Sequence, residues 1–376
     1  FLKVNIMKLL IFIFIIVISF SQECEDNRYI EEIFDVEVET WVEFGENVND
    51  SWGSETTVQL YMDVYQPIGD ELEQRPLVIF AFGGAFMFGN RNSPDIVEQC
   101  ESYAKKGYVT AAIDYRLTPS LVFDNSELNV YSAVIKGVHD FNGAIRYFRK
   151  SFAEGNEYRI DPNRIYGGGT SAGSIVAIHN AYLDNNDESV PDVIWEILNE
   201  TGGIEGESGN EGYNSNIHAV INLCGGIGNA SWIEEDAQPI VSLHGTLDDV
   251  VPYEGGINLL GVYSEGSGTI HSRMLELGND SELLTFEGGG HCDFTSDMAM
   301  VNEYTSDFMY DIVCSEINDS ILGDVNLDNM VNVVDVIATV NIILDSEYDS
   351  NADLNGDNAV NVIDIISIVN IILDSN

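Results

Sequence analysis

Basic residues are scarce in this chain, which has 15 Lys and Arg against 63 Asp and Glu and a formal net charge of −48. Nucleic acids and anionic membranes are bound through positive charge that displaces counterions. The composition therefore excludes both as partners and disfavours negatively charged substrates. Because the acidic residues are spread along the chain instead of forming a tail, we expect them to serve solubility in salt or calcium binding.

Long apolar runs are equally scarce. Residues 9–18 form one near the N-terminus, but a membrane-spanning helix needs about 20 apolar residues, and acidic residues follow soon after. Lys8 before this run and the small-x-small cleavage pattern Ser19-Phe20-Ser21 after it are typical of a secretory signal, which we place at residues 1–21 with Met7 as initiator. We therefore predict a secreted protein, extracellular or periplasmic, with no membrane contact once the signal is removed.

The spacing of cysteines that marks a metal site is also missing. The five cysteines are an odd number, so at least one stays free or pairs with another chain. An oxidising compartment predicts one or two structural disulfides among the others. The length of 376 residues suits one large core with a small appendage.

What the chain does contain is an alternation of apolar runs with helical patterns at 130–152 and 175–183. The apolar runs lie at residues 77–82, 109–113, 164–166, 219–223, 240–243 and 283–286. This alternation predicts an α/β fold, a mostly parallel sheet with helices on both faces. Alternating segments at 34–38 and 58–65 precede it as antiparallel strands. Residues 184–216 interrupt the alternation as an insertion, which we expect to cap the site.

A glycine-rich turn stands where one apolar run gives way to a helical pattern. Gly169-Thr170-Ser171-Ala172-Gly173 fits the pattern G-x-S-x-G, in which small neighbours let a tight turn present a serine hydroxyl. An ordinary glycine-rich turn would read the same way. The pattern becomes informative only if the rest of the chain supplies the partners that a nucleophilic serine needs.

Those partners are a base and an acid, which follow the serine in the order acid, then histidine, in sheets of this kind. Asp248 and Asp249 follow the apolar run at 240–243, and His291 follows three glycines after the last run. The spacing leaves both aspartates open as the acid. The glycine-rich loop at 82–89 follows a buried strand and offers backbone amides for an oxyanion.

Together these segments resemble the α/β-hydrolase superfamily, in particular secreted bacterial carboxylesterases of the hormone-sensitive-lipase and feruloyl- or acetyl-xylan-esterase-like kind. The likeness covers residues 58–313. It is carried by five segments, Phe-Gly-Gly-Ala-Phe-Met-Phe-Gly at 82–89, Asp-Tyr-Arg at 114–116, Gly-Thr-Ser-Ala-Gly at 169–173, His-Gly-Thr-Leu-Asp-Asp-Val-Val-Pro-Tyr at 244–253 and Gly-Gly-Gly-His at 288–291.

The resemblance implies a catalytic triad of Ser171 as nucleophile, His291 as base and Asp248, not Asp249, as acid. It also implies that an oxyanion is held by the backbone amides of Gly84, Ala85 and Ala172, in a reaction that runs through an acyl-enzyme without a cofactor. One residue departs from the family pattern. Phe82 stands where the family usually has a histidine that braces the loop by hydrogen bonding, so we expect that brace to be lost.

The implied function is a secreted serine carboxylic-ester hydrolase, with acetyl or feruloyl esters of polysaccharides as substrates. A generic short-chain carboxylesterase or lipase-like enzyme fits the same residues. A peptidase of the same fold and a non-catalytic binding protein are weaker alternatives.

The C-terminal segment contains no Lys or Arg from Gly323 onward and repeats itself, with residues 324–335 aligning to 353–364. Oxygen-bearing side chains fall at loop positions 1, 3, 5, 9 and 12, and the position-7 carbonyl completes a calcium cage. The predicted ligands are Asp324, Asn326, Asp328, Met330, Asn332 and Asp335, then Asp353, Asn355, Asp357, Ala359, Asn361 and Asp364. The duplication therefore predicts a small all-α module that binds about two Ca²⁺ ions.

This repeat resembles a type I dockerin, which implies a cohesin-like scaffold protein as partner. Its loop positions 10 and 11, at 333–334 and 362–363, are apolar where polar residues are usual. A module that only caps and stabilises the C-terminus is therefore the alternative. The predicted organisation is a signal peptide at 1–21, an α/β-hydrolase catalytic domain at 22–315 and a dockerin-like domain at 316–376.

Overall fold

The structure, a computed structural model, describes residues 24, 27–50, 53–183, 189–319, 323, 325, 326, 331–345, 348, 349, 351–354 and 359–374. The predicted signal peptide at 1–21 lies outside the described residues. The chain divides into two compact units, Phe1–Ile312 and Val313–Asn376. Among the described residues, no helix combines the length and the apolar character that a membrane span requires.

Strands and helices alternate through the first unit as the sequence predicts. The strands are β1 Asp35–Asn49, β2 Thr56–Ile68, β3 Arg75–Ala81, β4 Val109–Ile113, β5 Ile160–Thr170, β6 Val220–Leu223, β7 Gly226–Ile227, β8 Ile240–Gly245, β9 Gly255–Ile257, β10 Tyr263–Gly266 and β11 Ser281–Phe286. The α-helices of the described residues are α1 Pro94–Lys105, α2 Glu127–Ala153, α3 Ala172–Tyr182, α4 Asp192–Glu200, α5 Ser267–Leu277, α6 Met298–Asp319, α7 Val333–Asp345 and α8 Val362–Asp374.

The central sheet has eight strands in the order β1-β2-β4-β3-β5-β6-β8-β11. The pairs β1–β2 and β2–β4 are antiparallel, and the pairs from β4 to β11 are parallel. Every residue of β3 and β4 is buried, as strands covered on both faces require. The predicted mostly parallel sheet is therefore confirmed, with the antiparallel pair at one edge.

Helix α2 packs closely because small residues interrupt its apolar face. A Cβ added to Gly137 would lie 2.7 Å from Cγ2 of Val176 on α3, so the two helices approach at that glycine. Phe141 and Phe148 are fully buried on the same helix. The three- and four-residue spacing of these apolar side chains is what predicted the helix from the sequence.

The described part of the insertion at 184–216 hydrogen-bonds to α2, α3 and β1. The Gly203 carbonyl lies 2.8 Å from Nε2 of His139, Asn180 donates to the Ser215 carbonyl at 3.0 Å, and Asn210 donates to the Phe44 carbonyl at 2.7 Å. Ser208 also donates to Asp140 on α2 at 2.6 Å. Its polar backbone thus finds partners on the flank of the sheet, and the described part shows no hydrogen bond from it to the triad residues.

The order of the strands determines where a crevice opens at the edge of the sheet. The chain passes from β3 to β4 on one side, and after β5 it continues to β6 on the other. The loops that follow β3 and β5 therefore diverge and leave a crevice at the carboxyl ends of these neighbouring parallel strands. In open α/β sheets ligands bind in this crevice.

The second unit is small and helical where it is described. Val325, Ala352 and Ile368 form its buried core, against which Val336 and Ile372 pack from α7 and α8. The two helices occupy corresponding positions of the sequence repeat, so the predicted loop-helix duplication is seen in its helices. Calcium binding by this unit is a proposal, to which we return below.

Candidate active site

Ser171 occupies a sharp turn between β5 and α3. Its backbone has φ 54° and ψ −116°, a conformation that is strained for a residue with a side chain. The turn can form because Gly169 and Gly173 let the chain pack against β3. A Cβ on Gly169 would lie 2.3 Å from the Ala81 carbonyl oxygen, and one on Gly173 would lie 2.0 Å from it. The strained turn is the nucleophile elbow that the G-x-S-x-G pattern predicted.

His291 reaches Ser171 from the loop after β11. Nε2 of His291 lies 2.8 Å from Oγ of Ser171, and Nδ1 lies 2.7 Å from Oδ2 of Asp248. Because the carboxylate can only accept, Nδ1 carries the proton and Nε2 is left to accept one from the serine. The structure thus brings together the three residues that the sequence proposed as nucleophile, base and acid, in the relative geometry of a triad.

The choice between the two aspartates follows from burial. The Asp248 side chain is fully buried, whereas Asp249 is exposed. Oδ1 of Asp248 accepts N–H bonds from Val250 and Val251 at 2.8 and 2.9 Å. Burial would raise the pKa of the Asp248 carboxyl, but hydrogen bonds from His244, His291 and the Val251 amide hold it well below its usual range. Asp248 is therefore ionised and oriented, as a triad acid must be.

A disulfide fixes the loop that carries His291. Cys292, the next residue, is bonded to Cys224 at the end of β6, with Cα atoms 5.5 Å apart. The loop is also tied to the end of β8, where a Cβ on Gly245 would lie 2.4 Å from the Gly289 carbonyl oxygen. Cys24 and Cys314 are also disulfide-bonded, and the remaining cysteine, Cys100, is buried and free. The expectation of one or two disulfides and an unpaired cysteine agrees with this pattern.

The proposed oxyanion donors lie beside the nucleophile. A Cβ on Gly83 would stand 3.3 Å from Cβ of Ser171, so the loop after β3 runs directly along the turn. Among the described residues, no hydrogen bond engages the N–H groups of Gly84, Ala85 or Ala172. Free amides next to a serine hydroxyl are what a developing oxyanion requires.

The loop keeps a brace despite Phe82. The Phe82 ring is buried and stacks on Tyr115 with centroids 4.3 Å apart, and the Tyr115 hydroxyl donates to the Phe82 carbonyl at 2.9 Å. The loop ends at Gly89, which has a left-handed φ of 101°. A Cβ at this position would lie 2.6 Å from the Phe82 ring, so the turn requires glycine. The histidine side chain is absent as expected, but the loop is still braced, because the Tyr115 hydroxyl donates a hydrogen bond to the Phe82 carbonyl.

The remaining histidines lie outside the triad. Burial lowers the pKa of His139, His179 and His218 to about 4, so they are neutral core residues at pH 7. Nδ1 of His271, on α5, lies 2.8 Å from Oγ of Ser281. His244 differs from these four, because its ring contacts the Asp248 carboxylate.

One group of side chains in the described chain is close enough to share a metal ion, and it consists of Cys224, His291 and Cys292. Its two sulfurs are bonded to each other and its imidazole is engaged in the triad. These three residues therefore position the base His291, and the disulfide leaves neither sulfur as a thiolate ligand.

The predicted calcium ligands are only partly described. Asp335 and Asp364 are fully buried at the starts of α7 and α8. Oδ1 of Asp335 accepts N–H bonds from Val325 and Asn326, and Oδ2 of Asp364 accepts one from Asn361. Asn332, Asp353 and Ala359 are described too, whereas the ligands outside the described residues are Asp324, Asp328, Met330, Asn355 and Asp357.

Comparisons with known proteins agree with this geometry. The family model described as BD-FAE matches residues 62–229. "Lipase 1" of Geotrichum candidum is 23% identical over 158 residues, which cover 38% of this chain and 26% of the lipase. The chain thus spans about a quarter of the length of this curated relative.

Solved structures of esterase 2 from Thermogutta terrifontis share the fold. The form phosphoramylated by tabun is 22% identical, with 71% of this chain and 95% of that chain covered and a TM-score of 0.52. The butyrate-bound form is 21% identical, with 71% and 94% covered and a TM-score of 0.51. These likenesses show the fold, a mostly parallel central sheet with helices, which is consistent with that of an α/β-hydrolase.

The burial of one aspartate and the exposure of its neighbour lead to a first prediction. Asp248→Asn should lower kcat on the order of 10⁴-fold, because an amide cannot hold His291 in its tautomer or stabilise the imidazolium. Asp249→Asn, the matched control, should stay close to wild type. Steady-state kinetics on an ester substrate measures both, and equal losses in the two variants would show that the acid is misplaced.

Proposed function

We propose that this protein is a secreted serine carboxylic-ester hydrolase that works through an acyl-enzyme. The observation that supports it most strongly is the unbroken chain from Oγ of Ser171 through His291 to Asp248, with contacts of 2.8 and 2.7 Å. The fold and the esterase and lipase relatives point the same way. A peptidase of the same fold ranks below it, because the relatives that the chain matches are an esterase and a lipase.

In the proposed reaction, Oγ of Ser171 attacks the ester carbonyl carbon while its proton passes to Nε2 of His291. The carbonyl electrons move to the oxygen, where the amides of Gly84, Ala85 and Ala172 stabilise the charge. His291 then gives the proton to the alcohol oxygen as the C–O bond breaks, which leaves an acyl-serine. Water loses a proton to His291, attacks the acyl carbon, and releases the acid as the proton returns to Ser171.

We propose acetyl or feruloyl esters of polysaccharides as the substrates. The match to the BD-FAE family model supports this class, and the dockerin-like repeat is of the kind found on polysaccharide-degrading proteins. A generic short-chain carboxylesterase is the second candidate, since the Thermogutta terrifontis esterase was solved with propionate and with butyrate bound. The net charge of −48 favours neutral acyl esters over anionic ones in both cases.

Secretion is part of the proposal. The Cys224–Cys292 disulfide next to the base supports it, because such bonds persist in oxidising compartments and are rare in the cytosol. The apolar run at 9–18 after Lys8 supports an N-terminal signal.

The C-terminal unit is proposed to hold about two Ca²⁺ ions. Asp335 and Asp364 are buried carboxylates in a segment without Lys or Arg after Gly323. Hard oxygen ligands without a neutralising basic side chain suit a divalent cation. When bound, the ions would hold the two loops and contribute nothing to ester hydrolysis.

The same unit is proposed to dock onto a cohesin-like scaffold domain. Apolar side chains stand exposed at matching places of α7 and α8: Val333 and Val362 are each 64% exposed, and Ile337 and Ile366 are each 56% exposed. Val333 and Val362 are apolar where dockerins usually have polar residues, so the proposed partner has to present an apolar surface, and a module that only caps and stabilises the C-terminus is the alternative.

Hydrolysis of p-nitrophenyl acetate tests the function. Wild-type protein should turn over this ester, and Ser171→Ala should lower kcat by roughly four orders of magnitude or more because the nucleophile is gone. Ser231→Ala, which changes an exposed serine, is the control. A wild type without Ser171-dependent turnover would refute the proposal.

Hydrolysis rates on other esters test the proposed substrate class. Release of acetate from acetylated xylan, or of ferulate from methyl ferulate, with kcat/KM above that for p-nitrophenyl butyrate would support the polysaccharide-ester candidate. The reverse order would favour the generic carboxylesterase.

Calorimetry with Ca²⁺ tests the C-terminal unit. The wild type should bind about two ions, and Asp335→Ala with Asp364→Ala should abolish binding because each loop loses its last ligand. Asp307→Ala with Asp311→Ala, which removes two exposed carboxylates of α6, should leave it intact. Absence of heat with the wild type would rule out the calcium module.

A further inference from the structure

His244 is a second histidine on the acid side of the triad. It lies near the end of β8, four residues before Asp248, and its side chain is fully buried. Nε2 of His244 lies 3.1 Å from Oδ2 of Asp248 and 2.9 Å from the Val251 carbonyl oxygen. The atom Oδ2 therefore sits between two imidazoles, His244 on one side and His291 on the other.

The proton positions on His244 follow from its neighbours. Nε2 faces two acceptors, a carboxylate and a carbonyl oxygen, so it must carry a hydrogen. Nδ1 lies 2.7 Å from Oγ of Ser267, which itself accepts an N–H bond from Asn222 at 2.9 Å. The Ser267 hydroxyl is thus left to donate to Nδ1. Both ring nitrogens therefore have partners, and the hydrogen on Nε2 faces the carboxylate.

The orientation of Asn222 underlies this assignment. Oδ1 of Asn222 accepts the Gly225 N–H at 2.9 Å, so its amide nitrogen is the atom that faces the two serines, Ser242 at 3.0 Å and Ser267. All of these side chains are buried. A continuous hydrogen-bonded chain therefore runs from β6 through α5 and His244 to the acid.

The effect on Asp248 is to fix both carboxylate oxygens. Oδ1 is held by the Val250 and Val251 amides, and Oδ2 by the two imidazoles. A carboxylate with donors on each oxygen cannot rotate about its terminal torsion without breaking several bonds in a buried site. Without His244, Oδ2 would be held by His291 alone, which is the side chain that it has to orient.

We propose that His244 is a positioning residue for catalysis, which holds Oδ2 of Asp248 in place by donating from Nε2, with Ser267 fixing its tautomer. This inference rests on the proposed function, because it assigns His244 a part in the same triad. It goes beyond that function because it adds His244, and Ser267 behind it, to the residues that orient His291.

The pH dependence distinguishes this role from simple packing. The titratable groups that the His244 ring contacts are Asp248 and Tyr253, whose ring centroid lies 5.7 Å away and whose hydroxyl pairs with Thr285. Removing the Nε2 donor leaves more negative charge on Oδ2 for protonated His291. The inactive, protonated base is then stabilised, so the acid limb of kcat/KM moves to higher pH. A residue that only filled space would not shift that limb.

The test compares His244→Phe with His244→Gln in the full chain. The first keeps an aromatic ring without a donor, and we expect kcat to fall about tenfold to a hundredfold, the loss that a misplacement of about 1 Å produces. KM should change little, and the acid limb should rise. His244→Gln offers an amide N–H in place of Nε2, so it should restore much of kcat and bring the acid limb back toward its wild-type position. Wild-type kcat and acid limb in a folded His244→Phe, or no recovery in His244→Gln, would overturn the proposal.

Two serines supply a matched pair in case His244 variants do not fold. Both Ser242 and Ser267 accept from Asn222, but Ser267 alone donates to His244. We expect Ser267→Ala to lower kcat several-fold and to raise the acid limb, and Ser242→Ala to change neither. Equal effects of the two variants would contradict the proposal. Because these comparisons start from Ser171-dependent activity in the wild type, failure of the proposed function itself would be seen separately and first.

Discussion

The close approach of the Ser171 turn to strand β3 is the constraint on which the site depends. Gly169 and Gly173 both face the Ala81 carbonyl at distances that leave no room for a Cβ. This contact draws the start of α3 onto the end of β3, and with it the loop that begins at Phe82. The nucleophile and the proposed oxyanion donors are therefore placed by one backbone contact, and the strained φ of Ser171 is its consequence.

The other half of the site depends on a buried carboxylate. Asp248 is enclosed by four donors, and the loop that carries His291 is tied to β6 by a disulfide and to β8 by a glycine contact. Rigid attachment matters because the base must meet a serine and an acid that come from different strands. The first half lies at the carboxyl ends of β3 and β5, where the strand order leaves a crevice, and the second half follows β8 and β11 in the same parallel sheet.

The sequence predicted the central strands and the residues that meet at the site, because apolar runs, glycines and the order serine, acid, histidine are all local signals. Spacing alone left both aspartates open, because neighbouring residues differ in burial only once the turn after β8 is formed, and only the family resemblance favoured Asp248. The hydrogen bond from Tyr115 to the Phe82 carbonyl was not foreseen, because the two residues lie in loops that follow different strands. The contact between His244 and Asp248 was not foreseen, although their four-residue spacing is visible in the sequence. No local pattern says which surface the backbone of the insertion at 184–216 pairs with, so its partners on α2, α3 and β1 were not foreseen.

The most direct test of the central claim, that Ser171 is an activated nucleophile, is peptide mass spectrometry after treatment with diethyl p-nitrophenyl phosphate. Oγ of Ser171 should displace p-nitrophenolate and retain one diethylphosphoryl group on the peptide that contains residues 167–173. The adduct should be absent in Ser171→Ala and in protein unfolded before treatment. Adducts spread over other residues, or no adduct on the folded wild type, would contradict the account.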